Sequence, residues 1–119
     1  MGEIDPVIHQ PVRLRLMATL MALEPDAEVD FLYLRNRLQL SDGNLSVHLS
    51  RLEEARFVKQ QKTFVGRKPR TYIRLTPRGR AAFAEHIAAL EEILRPGDRK
   101  RPIKKKRKRL SGPTSGQAR

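Results

Sequence analysis

Basic side chains are concentrated in two segments of this sequence, where they could bind phosphate groups. Residues 51–80 carry ten Lys and Arg against two Asp and Glu, a net charge of +8, and residues 96–119 carry ten against one, a net of +9. Residues 1–50, by contrast, have a net charge of −3. Lys and Arg form charge-assisted hydrogen bonds with phosphate oxygens. This distribution indicates a polyanionic partner.

The second segment, residues 96–119, is predicted to be a disordered tail. Its only large apolar residues are Ile103 and Leu110, too few to offset an ordering entropy of about 1–2 kcal/mol per residue. Because it has no aromatic residue to stack on bases, its contacts with nucleic acid would be electrostatic and independent of sequence. A nuclear import signal and a membrane-surface tether are the alternatives, and we favour a clamp on DNA. Its non-specific phosphate contacts are expected from Lys104, Lys105, Lys106, Arg107, Lys108 and Arg109.

The sequence lacks the residues for most other chemistries. It has no Cys, and its three His residues lie in separate segments, so we interpret His9, His48 and His86 as capping or half-buried side chains rather than metal ligands. No phosphate loop or nucleophile elbow occurs, and we expect no enzyme, no cofactor and no metal. The N-terminus lacks a signal pattern, and no apolar stretch approaches the roughly 20 residues that span a bilayer. These features predict a cytoplasmic, nucleoid-associated protein with no membrane partner.

Hydrophobic periodicity predicts three helices in the first half of the chain. Helix one runs from Pro11 to Leu23, and its Arg13 is interpreted as a buried or interface arginine that bonds carbonyl groups or an acidic partner. Helix two covers residues 31–39 after Asp30 as N-cap. Helix three follows Ser41 as N-cap and reaches about Ala55. The short connection between helices two and three is typical of a helix-turn-helix.

Helix three has two different faces. Leu45, Leu49 and Leu52 recur at helical spacing and are predicted to face inward. The opposite face is small and polar, and small side chains early in a helix allow its backbone to approach base edges in a DNA groove. An ordinary solvated face is the alternative interpretation. The predicted DNA contacts of this face are Asn44, Ser46, Val47, Ser50 and Arg51.

A two-stranded hairpin is predicted next, because β-branched and aromatic residues become frequent. Its strands are Val58–Val65 and Thr71–Thr76, and the basic turn Gly66–Arg70 joins them. Basic residues in this turn could merely keep the tip soluble, but the neighbouring helix face favours contact with phosphates. The predicted phosphate contacts of the turn are Arg67, Lys68 and Arg70.

Helix four is predicted from Thr76 as N-cap and Pro77 as first residue to about Leu94. Four apolar residues form a stripe along it. Packing in the core is one interpretation of this stripe. Because a chain of this size buries only roughly 60–65% of its surface, we favour a partner chain as the second surface. The residues of the stripe are Phe83, Ile87, Leu90 and Leu94.

Three helices, a hairpin and a final helix follow the order of a winged helix-turn-helix, which is an α+β and mostly helical fold. Three stretches of the sequence also resemble the small winged-helix transcriptional regulators related to MarR and ArsR. They are Ile8–Met17, Leu40–Leu49 with Leu52–Ala55, and Arg70–Arg80. The chain departs from the family pattern at Arg56, where Gly is usual. A left-handed backbone there would cost a non-Gly residue about 1 kcal/mol.

The resemblance implies a homodimer that binds operator DNA, with helix three in the major groove and the wing tip on the backbone or in the minor groove. We therefore expect residues 1–95 to form a DNA-binding and dimerisation domain that ends in a C-terminal dimerisation helix, with residues 96–119 as the basic tail. A small-molecule effector is compatible with such a regulator, although no residue of the sequence identifies its site. The resemblance places the first and last helices at the dimer interface, for which the expected residues are Val12, Leu16, Phe83, Ile87, Leu90 and Leu94.

Two functions follow from these features. The favoured function is a sequence-specific transcriptional regulator whose partners are double-stranded DNA and a second copy of itself. The alternative is a non-specific architectural or nucleoid-type DNA binder dominated by the basic tail. A third, weaker interpretation is a winged-helix module for an acidic protein partner. A regulator is expected to bind its site at least about a thousandfold more tightly than random DNA, whereas an architectural protein shows almost no preference.

Overall fold

Four helices and three strands follow one another in the computed structural model, which describes residues 4–95. The predicted α+β, mostly helical class is confirmed, and the helices end within two residues of their predicted bounds. The predicted tail lies outside the described residues. The elements are α1 (Pro11–Met21), β1 (Val29–Asp30), α2 (Phe31–Leu38), α3 (Asp42–Glu54), β2 (Val58–Val65), β3 (Lys68–Leu75) and α4 (Pro77–Ile93).

Polar side chains begin the helices where the sequence predicts caps. Asp30, Ser41 and Thr76 each accept a hydrogen bond from a backbone N–H in the first turn of α2, α3 and α4, at 2.8, 3.1 and 2.9 Å. Gln10, which the sequence did not single out, caps α1 in the same way. Each bond satisfies an N–H that has no partner within its own helix. These caps therefore define where the helices start.

β2 and β3 form the predicted hairpin, but its turn is shorter than predicted. The strands pair from Val58 opposite Leu75 to Val65 opposite Lys68, so only Gly66 and Arg67 lie between them. The predicted turn Gly66–Arg70 is wrong because Pro69 does not end the strand. Counted from the two-residue turn, Pro69 occupies a position of β3 whose backbone nitrogen points away from β2 and donates no hydrogen bond to it. On its other side, β1 does not extend as far as Pro69, so the missing N–H is not needed there either.

A third strand, which the sequence did not predict, completes the sheet. β1 pairs antiparallel with β3, with Val29 opposite Ile73 and Asp30 opposite Tyr72, and the strand order is β1–β3–β2. Two residues are too few to show the alternation that identifies a strand. The pairing holds the start of α2 against the hairpin.

The contacts divide the chain into two units, one ending at Ala88 and one beginning at Ala89. In the first unit, the inner sides of the helices and of the sheet enclose a single apolar core. Burial of these side chains supplies the main favourable free energy of folding. The side chains of this core are Ile8, Leu16, Met17, Leu20, Leu34, Leu38, Leu45, Leu49, Leu52, Phe57, Val58, Ile73, Leu75 and Phe83.

Burial corrects two of the residues expected at a dimer interface. Leu16 is fully buried and Phe83 is 8% exposed, so both serve the core of the single chain. A side chain without accessible surface offers nothing to a second chain. Val12 and Ile87 are half-buried against the same core. Of the expected set, Leu94 is the most exposed, at 75%.

The joint between α3 and the hairpin contains the left-handed residue that the family pattern indicates. Arg56 has φ 67°, and the hydroxyl of Thr76 donates to its carbonyl at 2.7 Å. Close by, Gly79 lies so near to the residue before β2 that a Cβ on it would stand 2.1 Å from the carbonyl oxygen of Phe57. α4 therefore starts against the hairpin only because residue 79 has no side chain. No helix within residues 4–95 combines the length and apolarity needed to span a membrane.

Candidate nucleic-acid interface

α3 presents the two faces that its sequence predicts. Leu45, Leu49 and Leu52 have no exposed surface and anchor the helix in the core. The opposite side is exposed, and Val47 retains 58% of its accessible surface. An apolar side chain at that position suits the methyl group of a thymine. All five predicted contacts are exposed on this helix: Asn44, Ser46, Val47, Ser50 and Arg51.

The start of α3 is fixed by α2. Gln39 ends α2 in a left-handed conformation with φ 58°, which turns the chain towards α3 within three residues. The guanidinium of Arg35 in α2 then donates to the carboxylate of Asp42, the first residue of α3, at 2.9 Å. Asp42 also complements the positive end of its own helix. The turn and the ion pair together hold the two helices at one angle.

The other end of α3 is joined to the wing, by which we mean the hairpin of β2 and β3. The carboxylate of Glu53 accepts the backbone N–H of Gln60 at 3.1 Å and its side-chain amide at 3.0 Å. Two hydrogen bonds to one carboxylate restrict the orientation of the strand more than one would. The sequence did not predict this link, because the family stretch that contains Glu53 does not indicate its partner on β2.

An open cleft of about 660 Å³ lies between α3 and the wing. Ser46, Ser50 and the Arg35-paired Asp42 line it on the α3 side, and Lys62 lines it on the β2 side. Lys68 and Arg70, two of the predicted phosphate contacts, also border it. The cleft thus brings together two of the five predicted contacts of α3 and two of the three predicted contacts of the hairpin turn. The other predicted contacts are exposed but do not line it, namely Asn44, Val47, Arg51 and Arg67. Alternation along β2, counted from buried Val58, could have indicated Lys62, which the sequence analysis missed.

The three basic residues predicted at the wing tip have different environments. Arg67 and Lys68 are exposed. Arg70 is half-buried, and its guanidinium donates to the carboxylate of Asp30, the residue that caps α2. Arg70 therefore holds the wing against the start of α2, and a phosphate contact by this residue stays a prediction.

A cationic cluster lies between α1 and α3. Arg13 donates through Nε to the carbonyl of Val7 and through a terminal nitrogen to Nδ1 of His48 at 3.2 Å. The predicted carbonyl contact of Arg13 is confirmed. Burial, and then the positive charges of Arg13 and Arg51, lower the pKa of His48. His48 accordingly stays neutral near pH 7, and it lies half-buried against Arg13 of α1, as the half-buried interpretation predicts.

His86 is buried more deeply than predicted. It has no exposed surface, its Nδ1 accepts the backbone N–H of Asp5 at 3.1 Å, and its Nε2 has no hydrogen-bond partner among residues 4–95. The ring of His9 lies 5.4 Å away. Burial is the main cause that lowers the pKa of His86, followed by the neighbouring His9. Within residues 4–95, no three His, Cys, Asp or Glu side chains are grouped so that they could hold a metal ion.

Comparison with known proteins agrees with this geometry. The family described as winged helix DNA-binding domain matches residues 12–94, from α1 to the end of α4. The chain belongs to the winged-helix DNA-binding domain family. The match covers the helix-turn-helix and the wing together, and it confirms the resemblance to small winged-helix regulators. The predicted contacts Lys104 to Arg109 fall beyond the match and outside the described residues.

Three of the proteins that are similar to this chain come from archaea. An uncharacterized protein of Methanocaldococcus jannaschii is 38% identical over 87 residues, which are 73% of this chain and 91% of that protein. The structure of a transcriptional regulator homologue from Pyrococcus horikoshii OT3 is 29% identical with a TM-score of 0.69, and the alignment covers 77% of this chain and 88% of that one. The transcriptional regulator BldR from Sulfolobus solfataricus shares the fold at 15% identity and a TM-score of 0.58, over 78% of this chain and 63% of its own.

Proposed function

We propose that this winged-helix protein is a sequence-specific transcriptional regulator that reads an operator with α3 in the major groove and places the wing on the backbone or in the minor groove. One observation carries the proposal, namely the cleft that Ser46 and Ser50 of α3 share with Lys62 of the wing. Its helix side has short polar groups that can approach base edges, and its strand side has a cation for phosphate. The proposal involves no enzymatic step.

Charge distribution and relatives support the same function. The net charge of +8 in residues 51–80 covers the end of α3, the wing and the start of α4, whereas residues 1–50 have a net charge of −3. A positive surface beside a groove-reading helix attracts the phosphate backbone and orients the helix on it. The Pyrococcus horikoshii protein, described as a transcriptional regulator homologue, shares 29% of aligned residues with this chain.

We also propose that the protein acts as a homodimer through the end of α4. Ile93 and Leu94 are 59% and 75% exposed, and Leu90 is half-buried one turn before them. A two-fold dimer would provide two α3 helices, one for each half-site of a palindromic operator, and half-sites of helix-turn-helix dimers lie about 34 Å apart. Sedimentation of the full chain is expected to give a dimer, and Leu94→Glu is expected to shift it towards monomer. A monomeric wild type at tens of micromolar would contradict the proposal.

The alternative, an architectural DNA binder, is favoured by one feature only. Residues 96–119 carry a net charge of +9, enough for strong contact with phosphates of any sequence. We also propose that residues 1–95 form the domain and residues 96–119 a basic tail. With this division, truncation of the tail distinguishes the two functions by experiment. A chain that ends at Arg95 removes the tail and leaves the cleft intact.

The decisive experiment is selection of duplexes from a random-sequence pool, followed by affinity measurements in a salt series. Both the full chain and the chain ending at Arg95 are expected to bind the selected duplex at least about a thousandfold more tightly than scrambled DNA. Loss of the tail should flatten the log–log salt slope by about 0.9 for each phosphate that it neutralises. Equal affinity for selected and scrambled DNA with both chains would instead identify an architectural binder.

Matched variants assign the contacts. Asn44→Ala should relax sequence preference at one base position, whereas Lys62→Ala should weaken binding to every sequence and reduce the salt slope by about 1. Lys59→Ala is the control for Lys62→Ala, because Lys59 has the same charge, lies on the same strand and points from the opposite face. If both lysine variants weaken binding equally, the wing contributes only general charge and the cleft is not the binding surface.

A further inference from the structure

The outer end of the wing carries an apolar side chain that the proposed function does not require. Phe64, one of the four Phe in the chain, is 70% exposed. It lies two residues before the turn at Gly66, opposite Pro69 of β3. An exposed Phe on a strand near the edge of a sheet increases the risk of aggregation. A partner for this ring is therefore to be expected.

The register of the hairpin determines which way Phe64 faces. Side chains alternate along a strand, so Val58, Gln60, Lys62 and Phe64 share one face of β2. At one end of that face Val58 is buried in the core, and in its middle Gln60 and Lys62 line the cleft beside α3. Phe64 continues this face beyond the cleft. Val65, 54% exposed, lies on the other face.

The reach of the wing suits the groove next to the one that α3 would occupy. Gln60 marks the point at which β2 is bonded to α3, through Glu53. Four residues at about 3.3 Å each place Phe64 about 13 Å further out. The centres of a major groove and of the adjacent minor groove are about 17 Å apart, half of a helical turn of B-DNA. A wing extending from α3 in the major groove therefore reaches the edge of the adjacent minor groove.

The charges around Phe64 fit the same partner. Lys62 precedes it on the same face, and Arg67 and Lys68 follow it around the turn, all three exposed. Proteins that kink DNA from the minor groove combine cations for the phosphates with an apolar side chain that enters between two base pairs. Pro69 lies directly opposite Phe64 in the strand pairing, so the residue across from the ring is rigid and apolar.

We propose that Phe64, opposite Pro69 near the tip of the wing, is a wedge that enters the minor groove beside the operator bases read by α3 and kinks the DNA there. The inference rests on the proposed function in that it takes α3 to lie in the major groove. Pyrimidine–purine steps such as TA and CA unstack most easily, so the wedge makes such a step part of the recognised site without any hydrogen bond to it.

Two measurements test the wedge on the full chain. Duplexes that the wild type selects from a random pool should contain a TA or CA step at a fixed distance from the bases whose preference depends on Asn44. Duplexes selected by Phe64→Ala should still contain those bases but no longer the step. Energy transfer between dyes at the ends of the selected duplex should show a bend of at least about 20° with wild type and a nearly straight duplex with Phe64→Ala. The affinity of Phe64→Ala should fall about tenfold on the selected duplex.

Val65→Ala is the matched control, because it removes an exposed apolar side chain from the same tip on the opposite face. It should keep both the step and the bend. Phe64→Leu should retain most of the bend, since it keeps an apolar wedge. Thermal unfolding checks that each variant is folded, which the exposure of both side chains leads us to expect.

Other outcomes overturn the inference in distinguishable ways. An unchanged step and bend in Phe64→Ala, with specific binding intact, refutes the wedge and leaves the proposed function standing. If Phe64→Ala and Val65→Ala lose the step and the bend equally, the effect does not depend on the face of β2 that carries Phe64, and the wedge is refuted. A change of sedimentation in Phe64→Ala without DNA shows a surface for a second copy instead. If the wild type selects no sequence, the proposed function fails, and the bend angle on random duplexes still decides whether Phe64 kinks DNA.

Discussion

Arg70 in the wing donates to the carboxylate of Asp30, and the same carboxylate accepts the N–H of Leu32 that opens α2. One side chain thus caps a helix of the helix-turn-helix and holds a strand of the wing. The side chain of Asp30 is 22% exposed and that of Arg70 38%, so solvent screens the ion pair only partly. The relative position of α2 and β3 depends on this contact as well as on the pairing of β1.

Variants of Asp30 should separate these two roles. Asn is as good an N-cap as Asp, so Asp30→Asn should remove only the ion pair and lower the free energy of unfolding by about 0.5–1 kcal/mol. Asp30→Ala should lose the cap as well and cost about 2 kcal/mol. Urea unfolding measures both. In an Arg70→Ala background, Asp30→Asn should have little further effect, and a full additional loss there would show that the ion pair contributes no stability.

Replacement of Arg56 by Gly should stabilise the protein. Arg56 has φ 67°, a conformation that Gly adopts without steric cost, and the gain should be about 1 kcal/mol in the free energy of unfolding. Gln39→Gly at φ 58° should behave alike. Asp26, at φ 69°, is the control, because Asp tolerates this region and Asp26→Gly should gain less. Equal gains at all three positions would contradict the explanation from side-chain strain.

Gly43→Ala should have opposite effects on folding and on DNA binding. Gly43 is exposed in the first turn of α3, and no atom lies within 4 Å of the position that a Cβ would take. Ala in a helix is more stable than Gly by about 0.5–1 kcal/mol, so the melting temperature should rise. The added methyl group holds the helix away from the bases, and affinity for the selected duplex should fall about tenfold. Unchanged affinity would mean that this turn of α3 does not approach DNA closely.

Gly79→Ala should strongly destabilise the fold. Its Cβ would stand 2.1 Å from the carbonyl oxygen of Phe57, which is backbone and cannot rotate away. Displacement of the first turn of α4 should cost about 3 kcal/mol, measured by urea unfolding. Gly43→Ala is the matched control, since it makes the same chemical change in a helix with open space. A stable Gly79→Ala protein would show that α4 can shift without loss of packing.

Stability should fall as the pH falls below about 6.5. Burial lowers the pKa of His86 and of His48, so the folded chain keeps both rings neutral at a pH where the unfolded chain already protonates them. The unfolded state then binds more protons, and each ring removes up to about 1.4 kcal/mol per pH unit until its folded pKa is reached. Urea unfolding between pH 5 and 7.5 measures the slope. His86→Gln and His48→Gln should each flatten it, and an unchanged slope in both would refute this account.

The sequence alone was sufficient for the elements that follow a period or carry a cap. Asp30, Ser41 and Thr76 begin helices as predicted, because a short polar side chain just before an apolar stripe can accept a hydrogen bond from a free N–H of the first helical turn. β1 was missed because two residues show no alternation, and its pairing depends on β3, more than forty residues later. The turn was predicted too long because residues 66–70 are turn-like and basic in composition, and composition does not show that three of them pair with β2.

Burial and long-range contacts were the least predictable features of the candidate site. The exposed face of α3 follows from its own helical period, but the bonds from Glu53 to Gln60 and from Arg70 to Asp30 join residues whose pairing depends on the completed sheet. The apolar stripe of α4 was attributed to a partner chain as a whole, yet Phe83 faces the core and Leu94 is exposed. A period shows which residues share a face and does not show where a core ends.

The position of β2 at the border of the sheet also affects how the free protein behaves at high concentration. An edge strand of eight residues can pair with the same strand of another molecule, and repeated pairing of this kind starts a fibre. Lys59 and Lys62 interrupt it with ammonium groups that repel a second copy, while Phe64 and Val65 would favour the addition. Acetylation of these two lysines would therefore remove the repulsion that keeps unbound molecules apart and, at Lys62, also the charge that the proposed phosphate contact requires.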